Sequence, residues 1–568
     1  MKRRDALGLM SATAAVSLLP VPVLGQHVRV IGIDAHTHIF NITDIPWASF
    51  LWRVRGRFFE ETRHFAVHPE RQQDLANGML AVLTSIFERM QPPVAESELN
   101  LDGQPLAERF QRERTDSRFR EALAATLELL YRDAGEFQAR YFPPFSGGLG
   151  ETVGQALGDI EIDRAAATDA IKAAINREID NAMAAQEDMP AQEDAPWYEW
   201  ASGLWASDGP VGRALEFGRR MSGERADNLE MLFGQYTDGQ TPALVAAALV
   251  DFSGWLNEQP RSPIADQVRL MDSLQASTPA GQVMQMIVPF NPWRQLAVER
   301  NQWSAPDPLS LVREAVTDRG AIGVKLYPPM GFLPMGNARA GLEYPERAGH
   351  QFGDDFPALL DESLMRLYEL CVELDVPILT HTSHGNAAGA DFGRRAHPVG
   401  WLPVLAGFPT LRVSMAHFGA FTSETAPADT WEAAIAAIAR IDQQQVFVDL
   451  SYLTRIMPLH ADGANRGIAI AGLRAILQHD DSFADRIVFG SDWHMLSQEP
   501  ENERYPTLIE GYLRDVGLDA GRIGQVFARN ALRLFGLVPG SQAYDRLQRY
   551  YGDRGLAHFN TIEALNRL

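Results

Sequence analysis

The stretch Asp34-Ala35-His36-Thr37-His38 closes an apolar run that begins at Val28. Side chains on an extended strand alternate between faces, so His36 and His38 point the same way. Two imidazoles on one face at a strand end make a chelating pair for a divalent ion. Other apolar runs also end in ligand-type residues: Thr380-His381, Ala416-His417 and Gly490-Ser491-Asp492. Four of the chain's 14 histidines and one aspartate thus stand at strand C-termini. Core packing does not explain that pattern, because buried imidazoles and carboxylates need partners. Three imidazoles and one carboxylate suit zinc, with iron or manganese as alternatives. An ion with one open position lowers the pKa of its water to about 7, which supplies hydroxide at neutral pH. Asp492 then serves as a ligand or as the base that takes the proton, and His417 as a ligand or a substrate contact.

These residues need a frame that brings strand ends together. Eight strand candidates run over residues 28–38, 244–251, 283–290, 321–327, 376–381, 411–417, 445–450 and 486–491. Each is short and nearly continuously apolar, as strands covered on both faces are. Helical patterns separate them. Asp307-Pro308 opens one with a capping residue and a first-turn proline, and residues 431–441 form an alanine- and isoleucine-rich second. Strand–helix alternation repeated eight times predicts a (β/α)8 barrel, whose active sites lie at the strand C-termini. A doubly wound open sheet is the alternative.

The rhythm breaks once. Between His38 and Leu244 no strand is convincing, and Phe119, Leu123, Leu127 and Leu130 repeat at helical spacing. The expected organisation is therefore a signal segment over 1–25, a barrel from 26–49 and 243–540, a helical insertion over 50–242 and a helical tail over 541–568. The insertion is read as a cap over the site or an oligomerisation surface. A Gly- and Pro-rich break falls at 143–154, and its Gly148-Leu149-Gly150 is too weak a pattern for a phosphate loop.

Composition narrows the function. The 568 residues carry 73 acids against 51 bases, a net charge of -22, and no basic patch, which argues against nucleic-acid binding. The single cysteine, Cys371, shares a helical face with Leu364, Leu367 and Leu374 and reads as core. Lys2, Arg3 and Arg4, the apolar stretch 6–19 and Val23-Leu24-Gly25 form a signal-peptide pattern resembling a twin-arginine signal. The expectation is a periplasmic or secreted protein with no membrane insertion after cleavage. No Gly-x-Ser-x-Gly elbow or Cys-His pair supplies a covalent nucleophile.

The Asp-x-His-x-His at strand one, Gly323-Val324-Lys325-Leu326, Thr380-His381, Ala416-His417 and Gly490-Ser491-Asp492 resemble the amidohydrolase superfamily. Their style is similar to its amidohydrolase-related branch, which includes aminocarboxymuconate semialdehyde decarboxylase-like enzymes. The resemblance implies a metal-dependent TIM barrel with one or two ions, zinc foremost. His36, His38, His381 and Asp492 would be ligands, and His417 a second-metal ligand or catalytic histidine. Lys325 would be a carbamylated bridge between two ions, a substrate contact, or a structural lysine. Tyr327 and the loop 328–332 would line the pocket. His384 would touch substrate or cap a loop, His494 would hydrogen-bond a ligand or substrate, and Arg394-Arg395 would attract an anion or stay solvated. The expected activity is hydrolysis of an amide, lactone or ester of a small molecule. The alternatives are decarboxylation or hydration of a small unsaturated acid on the same site, and a secreted metal- or ligand-binding protein without turnover.

Overall fold

A computed structural model describes residues 32–55, 69–100, 112–143, 161–184, 197–205, 207, 209–236, 242–277, 283–304, 306–383, 385–389, 391–421, 430–441, 445–458 and 463–567. Its centre is one eight-stranded sheet in the order β1 to β8, every neighbouring pair parallel. The strands are β1 (Ile33–Thr37), β2 (Leu244–Ala248), β3 (Met284–Pro289), β4 (Gly323–Leu326), β5 (Ile378–His381), β6 (Val413–Ala416), β7 (Val446–Asp449) and β8 (Ile487–Val488). All of their residues are buried, which is why the runs read as continuously apolar. The amide of Ala35 donates to the Phe489 carbonyl at 2.9 Å and that of Asp492 to the His36 carbonyl at 2.7 Å, so the chain beyond β8 closes back onto β1. The sheet is a (β/α)8 TIM barrel, and an open doubly wound sheet is excluded.

The strands are shorter than the apolar runs. β8 keeps only Ile487 and Val488, because the chain beyond them leaves the ladder to meet β1. A side chain at Gly490 would come within 3.0 Å of the His36 Cβ, so glycine permits that close approach. Asp307 caps its helix through Ser310 N–H at 3.0 Å, with Pro308 in the first turn, and Trp431–Ile441 is helical. Cys371 is buried beside Leu364 and Leu367 in helix Phe356–Glu373, and burial pushes its thiol pKa up.

Between β1 and β2 the described residues form helices, the longest being Pro69–Met90, Arg112–Arg132 and Arg164–Ala184. Phe119, Leu123, Leu127 and Leu130 are all fully buried among them. Helix Pro210–Ser222 leans on the chain after β8: the Met221 Sδ lies 2.8 Å from His494 Nε2, and Arg220 Nη1 donates to the Ser497 carbonyl at 2.8 Å. Tyr236, beyond helix Arg225–Gln235, donates its hydroxyl to Asp34 Oδ2 at 2.6 Å. At the other end of the barrel, helices Gln542–Asp553 and Phe559–Arg567 pack Leu547, Tyr550 and Tyr551 against inward-facing Ile33, Leu244, Ala246 and Ile287. The C-terminal tail therefore closes the floor. The break at 143–154 and the signal segment lie outside the described residues, apart from Pro143. No described helix is long and apolar enough to cross a membrane.

One ion pair on the covering helix has a pH signature. Burial alone would raise the Glu216 carboxyl, but the hydrogen bond and charge of Arg219, then Arg220 and Trp205, hold it down at about 2. With a folded pKa below the unfolded one, its stabilisation is complete above about 4.5 and is lost as pH falls towards about 2. Its side chain is 31% exposed, so solvent screening reduces the contribution to roughly 1–2 kcal/mol. Glu216→Gln should lower the urea midpoint at pH 7 by that equivalent and by clearly less at pH 3. An unchanged difference at the two pH values would reject the assignment.

Candidate active site

β1 carries His36 and His38 to the C-terminal mouth of the barrel. The His38 Nδ1 lies 2.6 Å from the Ala248 carbonyl, an atom that can only accept, so the proton sits on Nδ1 and Nε2 is bare. The bare Nε2 faces Asp492 Oδ1 at 3.6 Å. The His36 Nδ1 meets the Asp449 Oδ2 at 3.1 Å, which leaves its Nε2 bare as well. That Nε2 accepts from Lys325 Nζ on β4 at 2.9 Å. One ligand atom from each of His36, His38 and Asp492 lies within 4.8 Å of the others.

Asp492 does not stand on β8. It caps helix Trp493–Leu496 with φ 48°, a left-handed conformation that aspartate tolerates better than most residues. Its Oδ1 is buried and has no hydrogen-bond partner among the described residues. Burial raises the carboxyl to about 6 against the opposing charges of His36 and Lys325. An unpartnered buried carboxylate oxygen facing a bare imidazole nitrogen is costly without a cation between them. The donor set His36, His38 and Asp492 therefore fits a divalent ion, two nitrogens and one oxygen being an ordinary zinc chemistry.

The other expected ligands lie beside this set. His417, at the end of β6, has φ 64° and opens a left-handed turn that runs to Phe421. Its Nδ1 faces the Ser451 carbonyl at 3.2 Å and Ser451 Oγ at 2.9 Å, so Nδ1 carries the proton. Its Nε2 then accepts from His381 Nδ1 at 3.1 Å. Burial and the His36 charge lower His417 to about 3, and burial with the His417 and Lys325 charges takes His381 well below the usual range, so both rings are neutral. The bare His381 Nε2 accepts from Ser383 Oγ at 3.2 Å. His381 belongs to neither compact ligand group, and its ring stacks on Tyr327 at 4.4 Å. Burial lowers Lys325 to about 8, with Asp449 and Asp492 pulling the other way.

His494 takes a different place from the one expected. The strand stops at Val488, so residue 494 lies on the short helix rather than on the face of Asp492. It stacks on Phe40 at 4.4 Å and touches Met221, which makes it part of the contact with the covering helix. Arg395 donates to the Gly331 and Glu343 carbonyls and covers Phe392, so it ties two loops together, while Arg394 points to solvent. Asp34 receives Tyr236 and Ser491 and anchors β1. His384 lies outside the described residues.

Asp449 and Ser451 are the residues that sequence reasoning missed. Both are buried at the end of β7. Burial would raise the Asp449 carboxyl, but the His36 charge and hydrogen bond, His417 and Ser451 hold it well below the carboxylate range. The signal was present: Asp449 is the one charge in the run Val446-Phe447-Val448-Asp449, at the end where barrels place their chemistry.

No curated protein matches the chain. Among solved structures it is similar to a TIM-barrel protein from Bordetella bronchiseptica, at 17% identity, TM-score 0.35, over 56% of this chain and 85% of that one. An amidohydrolase from Burkholderia multivorans with bound HEPES shares 16% identity, TM-score 0.35, over 55% and 88%. A 4-oxalomesaconate hydratase from Rhodopseudomonas palustris shares 14%, TM-score 0.33, over 67% and 95%. Residues 301–537 match the amidohydrolase family model, a span that holds Lys325, His381, His417, Asp449 and Asp492. Over that span, less than half of the chain, the sequence is similar to the amidohydrolase family.

Proposed function

We propose that the protein is an exported, metal-dependent hydrolase of a small carbonyl-type substrate: an amide, lactone or ester. The observation that carries this reading is the convergence of His36, His38 and the unpartnered Asp492 carboxylate at the barrel mouth. A zinc ion held there would supply an acidic water and polarise a carbonyl. The Asp492 carboxylate, whose Oδ1 has no hydrogen-bond partner among the described residues, would hold the ion through one oxygen and be placed to take a proton from water and pass it to the leaving group. Both His417 nitrogens are engaged, with Ser451 and with His381. Lys325 meets His36 Nε2 here; with that nitrogen turned to an ion, the ammonium would be released, so Lys325 is the better group to steady a developing oxyanion. Tyr327, stacked on His381 and set edge-on to Phe252, walls the pocket beside them.

Metal content per chain, measured with turnover on panels of lactones, esters and amides, tests the reading. Lys325→Ala should keep its ion and lose about 10²-fold or more in kcat with a smaller change in KM. Two ions falling to one or fewer would instead make Lys325 a carbamylated bridge. Release of carbon dioxide from small unsaturated acids by a one-ion enzyme would favour the lyase alternative. Protein free of divalent ions and indifferent to chelators would end the proposal. Export is tested separately, by the N-terminus of protein recovered from the periplasmic fraction.

A further inference from the structure

We infer that Asp449 and Ser451 form a positioning pair that fixes the proton positions on His36 and His417 and so presents the bare Nε2 of His36 to the ion. The inference rests on the metal-site reading above and adds residues to it. The two Asp449 oxygens have divided roles. Oδ1 takes three donors: the His417 amide at 2.9 Å, the Ser451 amide at 3.2 Å and the Ser451 hydroxyl. Among the described residues, Oδ2 takes only the His36 Nδ1–H, at 3.1 Å. Because the Ser451 hydroxyl proton goes to Asp449, Ser451 Oγ is left to accept, and it lies 2.9 Å from His417 Nδ1 and 3.0 Å from His36 Nδ1. One carboxylate and one hydroxyl thus set both rings, and they also hold the amide from which the left-handed turn at His417 starts. A carboxylate behind a ligating imidazole fixes its tautomer and raises its basicity.

The division between the oxygens gives a test that a filler role would fail. In Asp449→Asn the amide oxygen goes where three donors already point, at Oδ1. The amide nitrogen then faces His36 Nδ1, which must accept, and the ring proton moves to Nε2, the ligating atom. Asp449→Ala only removes the orienting acceptor. Zinc affinity, read by competition with a chromophoric chelator, should fall about 10–100-fold in Asp449→Ala and at least as far in the nearly isosteric Asp449→Asn. Asn binding within about threefold of wild type would overturn the inference. So would loss of a separate second ion with the first unaffected, since Asp449 would then be a ligand. The ¹⁵N shifts of the imidazoles in metal-free wild-type protein check the claim without an ion or a variant. They should show His36 protonated at Nδ1 and bare at Nε2, and the reverse tautomer would overturn it. Those shifts separate a failure here from a failure of the metal reading.

Discussion

Asp492→Asn should lose about 10³-fold or more in turnover while leaving the fold intact. The backbone at this position is set by features that the amide retains. Residue 492 donates its own amide to the His36 carbonyl, stands at φ 48° and starts helix Trp493–Leu496. Asparagine is at ease in that left-handed conformation, so no strain is added. The volume is nearly unchanged in a buried site. What is lost is the negative charge and the proton-accepting oxygen facing His38 Nε2. Zinc affinity should fall with turnover, whereas the urea midpoint of metal-free protein should move by less than the equivalent of about 1 kcal/mol. A variant that turns over within about tenfold of wild type would show that the carboxylate neither ligates nor moves a proton.

Arg225→Ala should cost about 3–5 kcal/mol of stability, measured by urea unfolding. Arg225 is 1% exposed and starts the last helix of the insertion. It pairs through Nη2 with Asp44 and through Nη1 with Glu98, both at 2.5 Å, and Nη2 also reaches Thr43 Oγ1 at 2.9 Å and Ser262 Oγ at 3.0 Å. Asp44 belongs to the turn that follows β1, Glu98 to a helix of the insertion, and Ser262 to the segment after β2. Removing the guanidinium leaves two buried carboxylates facing each other without a counter-charge. Burial already raises Glu98 despite Arg225, so its protonation would absorb part of the penalty. Adding Glu98→Gln to Arg225→Ala should therefore recover some stability. A loss under about 1 kcal/mol would mean that water reaches the cluster.

The barrel was legible because each strand is covered on both faces and must be apolar along its length. The ends were less so. An apolar run does not show where the ladder stops, and β8 stops at Val488 because the chain must turn to meet His36. For that reason His494, two residues from Asp492, sits against the covering helix instead of the site. That His36 and His38 share one face of β1 was legible from alternation alone. Asp449 was not singled out because a lone aspartate carries no spacing pattern. Only the fold brings it across the mouth to His36, 413 positions away. Arg225 was hidden for the same reason, since its partners Asp44 and Glu98 lie 181 and 127 positions off.

The long detour between β1 and β2 has a consequence for how the molecule matures. Ile33 pairs with Leu244, so β1 reaches its neighbour only after more than 200 residues have been gathered in. Loop-closure entropy disfavours that pairing until the intervening helices have compacted and drawn their ends together. The first strand is then the last stave set into the cask, and it brings His36 and His38 with it. On the proposed metal reading, ion capture would be the closing event of biogenesis, and zinc uptake during refolding should lag behind the recovery of helical circular dichroism.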